Sequence, residues 1–163
     1  MGLFKRSEKN GVCCFTGHRV IPISDRERIK SALEKAVENM IVEKGVSLFI
    51  VGGALGFDTS AALVVLSAKK RHFHIKLRVA VPCDNQTRGW SEKAVALYED
   101  ILGKADEIVQ TGREYTSGCM HVRNRYMVDC SDYCIAYKTR ESGGTAYTVR
   151  YALEKGVEVI NLA

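Results

Sequence analysis

Two glycine clusters carry residue types suited to holding a phosphate. The first is Gly52-Gly53-Ala54-Leu55-Gly56-Phe57-Asp58, which follows an apolar run and opens a helical pattern. Glycine permits a tight turn and close approach of a ligand to the main chain. The helix that follows presents free N–H groups and a positive dipole end, both favourable to an anion. The second cluster is Ser142-Gly143-Gly144-Thr145, again just before a helical pattern, with two hydroxyls that can donate to phosphate oxygens. Neither is a Walker loop, since no Gly-Lys-Ser/Thr follows, and neither completes G-x-G-x-x-G. A glycine turn required by packing is the alternative for the first, and a plain N-cap turn for the second. Two such loops in one chain suit a ligand with more than one polar anchor, such as a phosphoribosyl or diphosphate group.

Other polar residues stand at comparable places. Thr16-Gly17-His18-Arg19 follows the first apolar run, and Pro82-Cys83-Asp84-Asn85-Gln86 follows the third. Either a ligand-facing role or an ordinary loop role fits His18 and Arg19, and Cys83 is either a reactive thiol or a small buried residue. Arg123 and Asn124 lie between Met120 and Met127, near the apolar stripe of their helix. A buried arginine needs a partner. A ligand phosphate would serve, and so would a structural aspartate such as Asp129 or Asp132. Trp90 fits a base-stacking or a core-capping role. No metal site is expected, because there is no Cys-x-x-Cys and His72 and His74 have no nearby carboxylate or cysteine. No Gly-x-Ser-x-Gly elbow announces a catalytic serine.

These clusters need a scaffold that brings them to one edge. The apolar runs Val12–Phe15, Ser47–Val51, Leu77–Val81, Glu107–Val109, Tyr133–Tyr137 and Val157–Asn161 read as strands. Several are continuously apolar, as strands buried on both faces are. Helical patterns lie between them. The first starts at a capping box of Ser24 and Glu27 and repeats Ile29, Leu33, Val37 and Met40. The second covers about 58–70, the third carries Ala94, Leu97, Tyr98 and Ile101, and the fourth covers about 118–129. The fifth carries Val149, Ala152 and Leu153 and stops at Gly156. This alternation predicts a three-layer α/β/α, Rossmann-like, doubly wound fold with a mainly parallel sheet. Residues 1–10 read as a short lead-in and 11–163 as a single domain. Ligands bind such sheets outside the carboxyl ends of the strands, and four of the clusters above follow a strand directly.

Composition narrows the classes. The chain has 163 residues, 46% hydrophobic and 26% charged, which is ordinary for a globular protein. No apolar run approaches the ~18 residues of a membrane helix, and the charged first ten residues have no signal-peptide core. Six cysteines without framework spacing are expected as reduced thiols in a cytoplasm. A net charge of +5 suits anionic ligands without indicating DNA. The run Lys69-Lys70-Arg71-His72 falls at a helix end, where cations complement the dipole.

The motifs resemble the YpsA-like branch of the SLOG superfamily. They are Cys14-Phe15-Thr16-Gly17-His18-Arg19, the Gly52–Asp58 stretch, Pro82-Cys83-x-x-Gln86, Cys119-Met120-x-x-Arg123-Asn124-x-x-Met127-Val128-Asp129 and Ser142-Gly143-Gly144-Thr145. The resemblance runs in order from about residue 11 to the end. It implies a Rossmann-like fold that binds nucleotides or nucleotide-derived ligands such as ADP-ribose. The related LOG-type phosphoribohydrolases carry Pro-Gly-Gly-x-Gly-Thr-x-x-Glu. Aligned on Gly144-Thr145, this chain has Thr148 at the glutamate and no proline before the glycines. Cleaving an N-glycosidic bond calls for a carboxylate or similar group, which leaves Asp58 or Glu141 as substitutes. DprA-type proteins, which bind single-stranded DNA, share Gly-Gly-Ala-x-Gly-x-Asp.

The first expectation is therefore a binding or sensor domain for a nucleotide-type ligand, with no required cofactor and no membrane partner. Its ligand residues are expected to be Thr16, Gly17, His18, Arg19, Gly52, Gly53, Ala54, Gly56, Asp58, Pro82, Gln86, Arg123, Asn124, Ser142, Gly143, Gly144 and Thr145. A phosphoribohydrolase-like enzyme is the second reading and a single-stranded nucleic-acid-binding module the third. Self-association is compatible with a domain of this kind.

Overall fold

The computed structural model describes residues 11–163, so the lead-in expected over 1–10 lies outside the described residues. Six strands alternate with five helices. In chain order they are β1 (Val12–Gly17), α1 (Arg26–Val42), β2 (Leu48–Val51), α2 (Phe57–Lys69), β3 (Lys76–Val81) and α3 (Glu92–Lys104). Then come β4 (Glu107–Gln110), α4 (Cys119–Asp129), β5 (Tyr133–Tyr137), α5 (Gly144–Glu154) and β6 (Glu158–Asn161). All pairings are parallel and the strand order is β4-β3-β2-β1-β5-β6. This is the three-layer Rossmann-like arrangement that the alternating pattern predicts.

The strand period of two splits the core into two layers. Cys13 and Phe15 of β1 face one side, with Phe49, Leu77 and Val79 from neighbouring strands. Ile29, Leu33 and Val37 of α1, Ala61 and Val65 of α2 and Ile101 of α3 cover them. Cys14, Ile50, Ala80 and Cys134 face the other side, against Met127 and Val128 of α4 and Ala152 of α5. The central strands are buried on both faces, which is why they read as continuous apolar runs. β4 lies at an edge and alternates half-buried with exposed residues, leaving Ile108 54% exposed.

Two local expectations change. The predicted capping box does not form. Pro22 leads into a 3-10 turn over Ile23–Asp25, so the α-helix begins at Arg26 and its cap position is Asp25, with no side-chain cap bond. Leu97 and Leu153, on the apolar lists of their helices, are exposed, while Tyr98, Ile101, Val149 and Ala152 are buried. Each of those helices packs through one narrow stripe, and the two leucines fall beyond it. The basic run after α2 is held by carboxylates: Lys69 pairs with Asp106, and Arg71 and His72 both contact Glu38, at 3.2 and 2.9 Å. Among the described residues no helix is long and apolar enough to cross a membrane.

Candidate functional site

The chain steps outward from β1 through β2 and β3 to β4, then α4 returns it to β5 on the other side of β1. The connections leaving β1 and β5 therefore part in opposite directions. A crevice opens outside their carboxyl ends, as it does wherever a parallel sheet changes winding direction. Thr16 pairs with Ala136 and Gly17 with Tyr137 at this end. A cavity of about 690 Å³ occupies the crevice, within the range of small-molecule sites. Thr16, Gly17, His18 and Arg19 line it from β1, Ala54 and Asp58 from the β2 side, and Arg123 and Asn124 from α4. Gly144 and Thr145 line it from the start of α5. Ten of the expected residues thus converge there from four separate connections.

The surroundings of the buried Arg123 and of the expected residues outside the lining explain their places. Arg123 is only 4% exposed. Its guanidinium donates to the carbonyl of Gly52, to the Ala80 carbonyl at 3.5 Å and to Gln86 Oε1 at 3.4 Å, and its Nε donates to Asn124 Oδ1 at 2.8 Å. Its countercharge is Asp58, not Asp129 or Asp132. Asp129 accepts from the Tyr151 hydroxyl at 2.7 Å, and Asp132 accepts from the amides of Gly11 and Val12. Burial pushes the Asp58 carboxyl up to about 6, against the opposing pull of Arg123, the Ala54 and Gly52 amides and Arg19. Gly52 sits between the two charges. A Cβ there would stand 2.6 Å from Arg123 Nη1 and 2.8 Å from Asp58 Oδ2.

Gly53 and Gly56 have φ of +72° and +78°. A Cβ on Gly56 would meet the Arg19 carbonyl oxygen at 2.1 Å, and the Phe57 amide donates to the His18 carbonyl at 3.1 Å. This first glycine loop packs against the β1 connection and the Arg123–Asp58 pair, and only its Ala54 and Asp58 line the cavity. Gln86 is a strut, donating to the Gly53 carbonyl at 3.3 Å. Pro82 lines a separate pocket near Gly112 and Cys119. Trp90 packs edge-on against Tyr98, with ring centroids 5.5 Å apart. Ser142 and Gly143 are exposed and immediately precede the lining residues.

The mouth of the cavity is rich in donors. Gly143 is the N-cap of α5 and no side chain caps that helix, so its first amides have no acceptor within the helix. Arg19 and Arg140 are exposed at the same cavity. His18 Nε2 accepts the Thr139 amide at 3.0 Å, which ties the β1 connection to the β5 connection and leaves the ring proton on Nδ1. Burial, then the Arg140 charge, lowers the imidazole pKa, so the ring is neutral at pH 7. Thr148 is buried and its hydroxyl donates back to the Gly144 carbonyl at 2.9 Å. Glu141 is exposed and pairs with Lys138 at 3.0 Å. Of the carboxylates weighed as substitutes for the LOG glutamate, Asp58 alone lines the cavity.

Sequence reasoning did not single out Tyr137, Thr139 and Arg140, which also line the site. They end β5 and begin its connection, so the positional argument that selected the other loops reaches them too. Among the described residues no group of three or more His, Cys, Asp or Glu side chains is placed to hold a metal.

The sheet order and a polar crevice at its winding change define a Rossmann-like protein. The family model YpsA, described as the YspA SLOG family, matches residues 14–159, and the chain belongs to that family. The SPbeta prophage-derived protein YoqJ of Bacillus subtilis is 32% identical over 77% of this chain and 80% of its own length. A UPF0398 protein of Halalkalibacterium halodurans is 31% identical over 86% of this chain and 78% of its own. Among solved structures, DNA processing protein A from Helicobacter pylori, described with its single-stranded DNA binding mode, superposes with a TM-score of 0.66 at 18% identity. DprA from Streptococcus pneumoniae superposes at 0.68 with 17% identity. The matches cover 95% and 93% of this chain but 66% and 50% of those chains, and the likeness is one of fold.

Proposed function

We propose that this chain binds a nucleotide or nucleotide-derived ligand, such as ADP-ribose or a nucleoside phosphate, in the crevice between the ends of β1 and β5. One observation carries the reading. The cavity of about 690 Å³ meets the uncapped start of α5 with two exposed arginines, Arg19 and Arg140, beside it. A phosphate at Gly144 and Thr145 gains amide hydrogen bonds and two cations. Asn124 and the ionised Asp58 supply acceptors and donors suited to a ribose. The test is calorimetric titration and thermal shift with ADP-ribose, AMP and ATP, each followed by an assay for released base. Gly144 has open space around its Cβ position, so Gly144→Asp folds and its carboxylate complements the helix dipole. It is expected to abolish binding, and Arg140→Ala to weaken it about 10- to 100-fold. Binding unaffected by both variants overturns this placement. Binding with released base favours the phosphoribohydrolase-like reading, with Asp58 as its carboxylate.

A second reading has its own support. The Helicobacter pylori neighbour of like fold is described as binding single-stranded DNA, and the net charge of +5 is compatible with a phosphate backbone. If the crevice takes single-stranded DNA, affinity falls steeply with salt, with a logarithmic slope of about −0.7 per phosphate neutralised. A mononucleotide held at one anion site shows a shallow dependence.

A further inference from the structure

The crevice differs in chemistry from one side to the other. α1 covers one face of the sheet and α5 the other, so the starts of these two helices flank the strand ends from opposite sides. On the α5 side, Gly144 and Thr145 bring the uncapped amides to the cavity. On the α1 side, the same cavity is lined by Val20, Pro22 and Asp25. Val20 is 76% exposed and Pro22 is exposed, so apolar surface is left uncovered there.

Asp25 stands at the cap position of α1, yet its side chain accepts no amide of that helix. Among the described residues its ion pair is with Arg28, and it is loose, with 3.8 Å from Nε to Oδ1. The carboxylate also stands beside the Tyr137 phenol, another lining residue. There burial first, and the Asp25 charge second, hold the hydroxyl above its ordinary pKa. Asp25 therefore sets a carboxylate with free acceptor capacity beside an apolar wall, across the crevice from the phosphate-type donors.

A planar base suits that side, because apolar contact covers its faces and a carboxylate reads its edge. Among the common bases, guanine presents two adjacent donors, N1–H and N2–H, and the two carboxylate oxygens accept both. Adenine sets an acceptor, N1, beside its amino group, and that acceptor faces the second oxygen without a proton between them. We propose that Asp25 is the base-reading residue of the crevice and selects guanine, so that the ligand is a guanosine phosphate with its phosphate at Gly144 and Thr145. The inference rests on the nucleotide reading above and narrows it to one base.

The experiment is calorimetric titration of the full chain with GMP, AMP, IMP and XMP, repeated with Asp25→Asn. GMP is expected to bind about 10- to 100-fold more tightly than AMP, the usual range for a bidentate contact to a base edge. IMP lacks the 2-amino group and is expected to fall between them. Asp25→Asn exchanges one acceptor oxygen for an amide donor. That donor meets the 2-oxo group of xanthine and opposes the 2-amino group of guanine, so the order of GMP and XMP is expected to invert. Asn is as good as Asp at a helix start, and this Asp makes no capping bond, so the variant folds. A purely structural role for Asp25 does not invert a base preference. Nucleotides bound with equal affinity by both chains overturn the base assignment and leave the nucleotide reading standing. A uniform loss for all four in Asp25→Asn, or a preference for AMP, also overturns the assignment. No binding of these four or of ADP-ribose and ATP overturns both readings together.

Discussion

Arg123 shows how one residue determines what the site can be. Its position on the apolar stripe of α4 demands partners, and its guanidinium finds them in the Gly52 and Ala80 carbonyls and Gln86, with the Asp58 charge nearby. Removing one member of a buried pair strands the other charge. Arg123→Ala is therefore expected to cost about 3–5 kcal/mol in denaturant unfolding, and Asp58→Asn in the same chain to recover part of it. Two further groups titrate in opposite senses. The folded pKa of Asp58, about 6, lies above its ordinary value of 3.8. The folded state then holds a proton that the unfolded chain releases, so this contribution is full below pH 3.8 and is lost as pH rises through 6. His18 has a folded pKa below 6.5. Its contribution is full above 6.5 and is lost as pH falls through the lowered value, when protonation of Nε2 breaks the bond to Thr139. Stability measured from pH 4 to 8 is expected to lose the first trend in Asp58→Asn and the second in His18→Gln. A Thr139 bond unaffected by acid would contradict the His18 assignment.

At the scale of elements, the two glycine loops have different jobs. Gly52, Gly53 and Gly56 are demanded by close packing, against the Arg123–Asp58 pair, Tyr98 and the Arg19 carbonyl respectively. Gly56→Ala places a Cβ into that carbonyl at a φ of +78°. It is expected to destabilise the protein by at least about 2 kcal/mol. Gly144→Ala meets open space and is expected to be neutral or slightly stabilising. Similar changes in the melting temperatures of the two variants would refute this division of roles. The start of α1 offers a simpler check. Ser24 is exposed in the 3-10 turn and caps nothing. Ser24→Ala is expected to shift stability by less than about 0.5 kcal/mol, where a working cap would cost about 1.

At the scale of the molecule, the strand order decides where a ligand can sit. The connections of the neighbouring strands β1 and β5 diverge in opposite directions, and the polar crevice lies between them. The whole charge distribution then acts on anything that enters. Arg19 and Arg140 are exposed, whereas the Arg123 charge is offset by Asp58. A charge-reversed Arg19→Glu/Arg140→Glu chain is expected to keep its melting temperature within a few degrees, since both sites are exposed. It is expected to lose affinity for ADP-ribose and for single-stranded DNA alike. Retained affinity for DNA alone would move the nucleic-acid surface elsewhere on the molecule.

The sequence by itself determined the order of strands and helices, because apolar runs and helical stripes are local signals of burial. It also placed the polar clusters at strand ends, because loops are where glycine, serine and threonine interrupt those periods. Eight of the ten expected residues in the cavity meet there for that reason, and Arg123 and Asn124 join them from within α4. Which residues face the ligand space and which stand behind it was decided only by the tertiary structure. Gly52 and Gly144 look alike in the chain, yet one lies between two buried charges and the other opens onto the crevice. The choice of Asp58 over Asp129 and Asp132 and the bond from Thr139 to His18 both join segments far apart in sequence. Such contacts depend on strand order, and strand order is set by packing between whole elements, which leaves no mark in the spacing of residues along the chain.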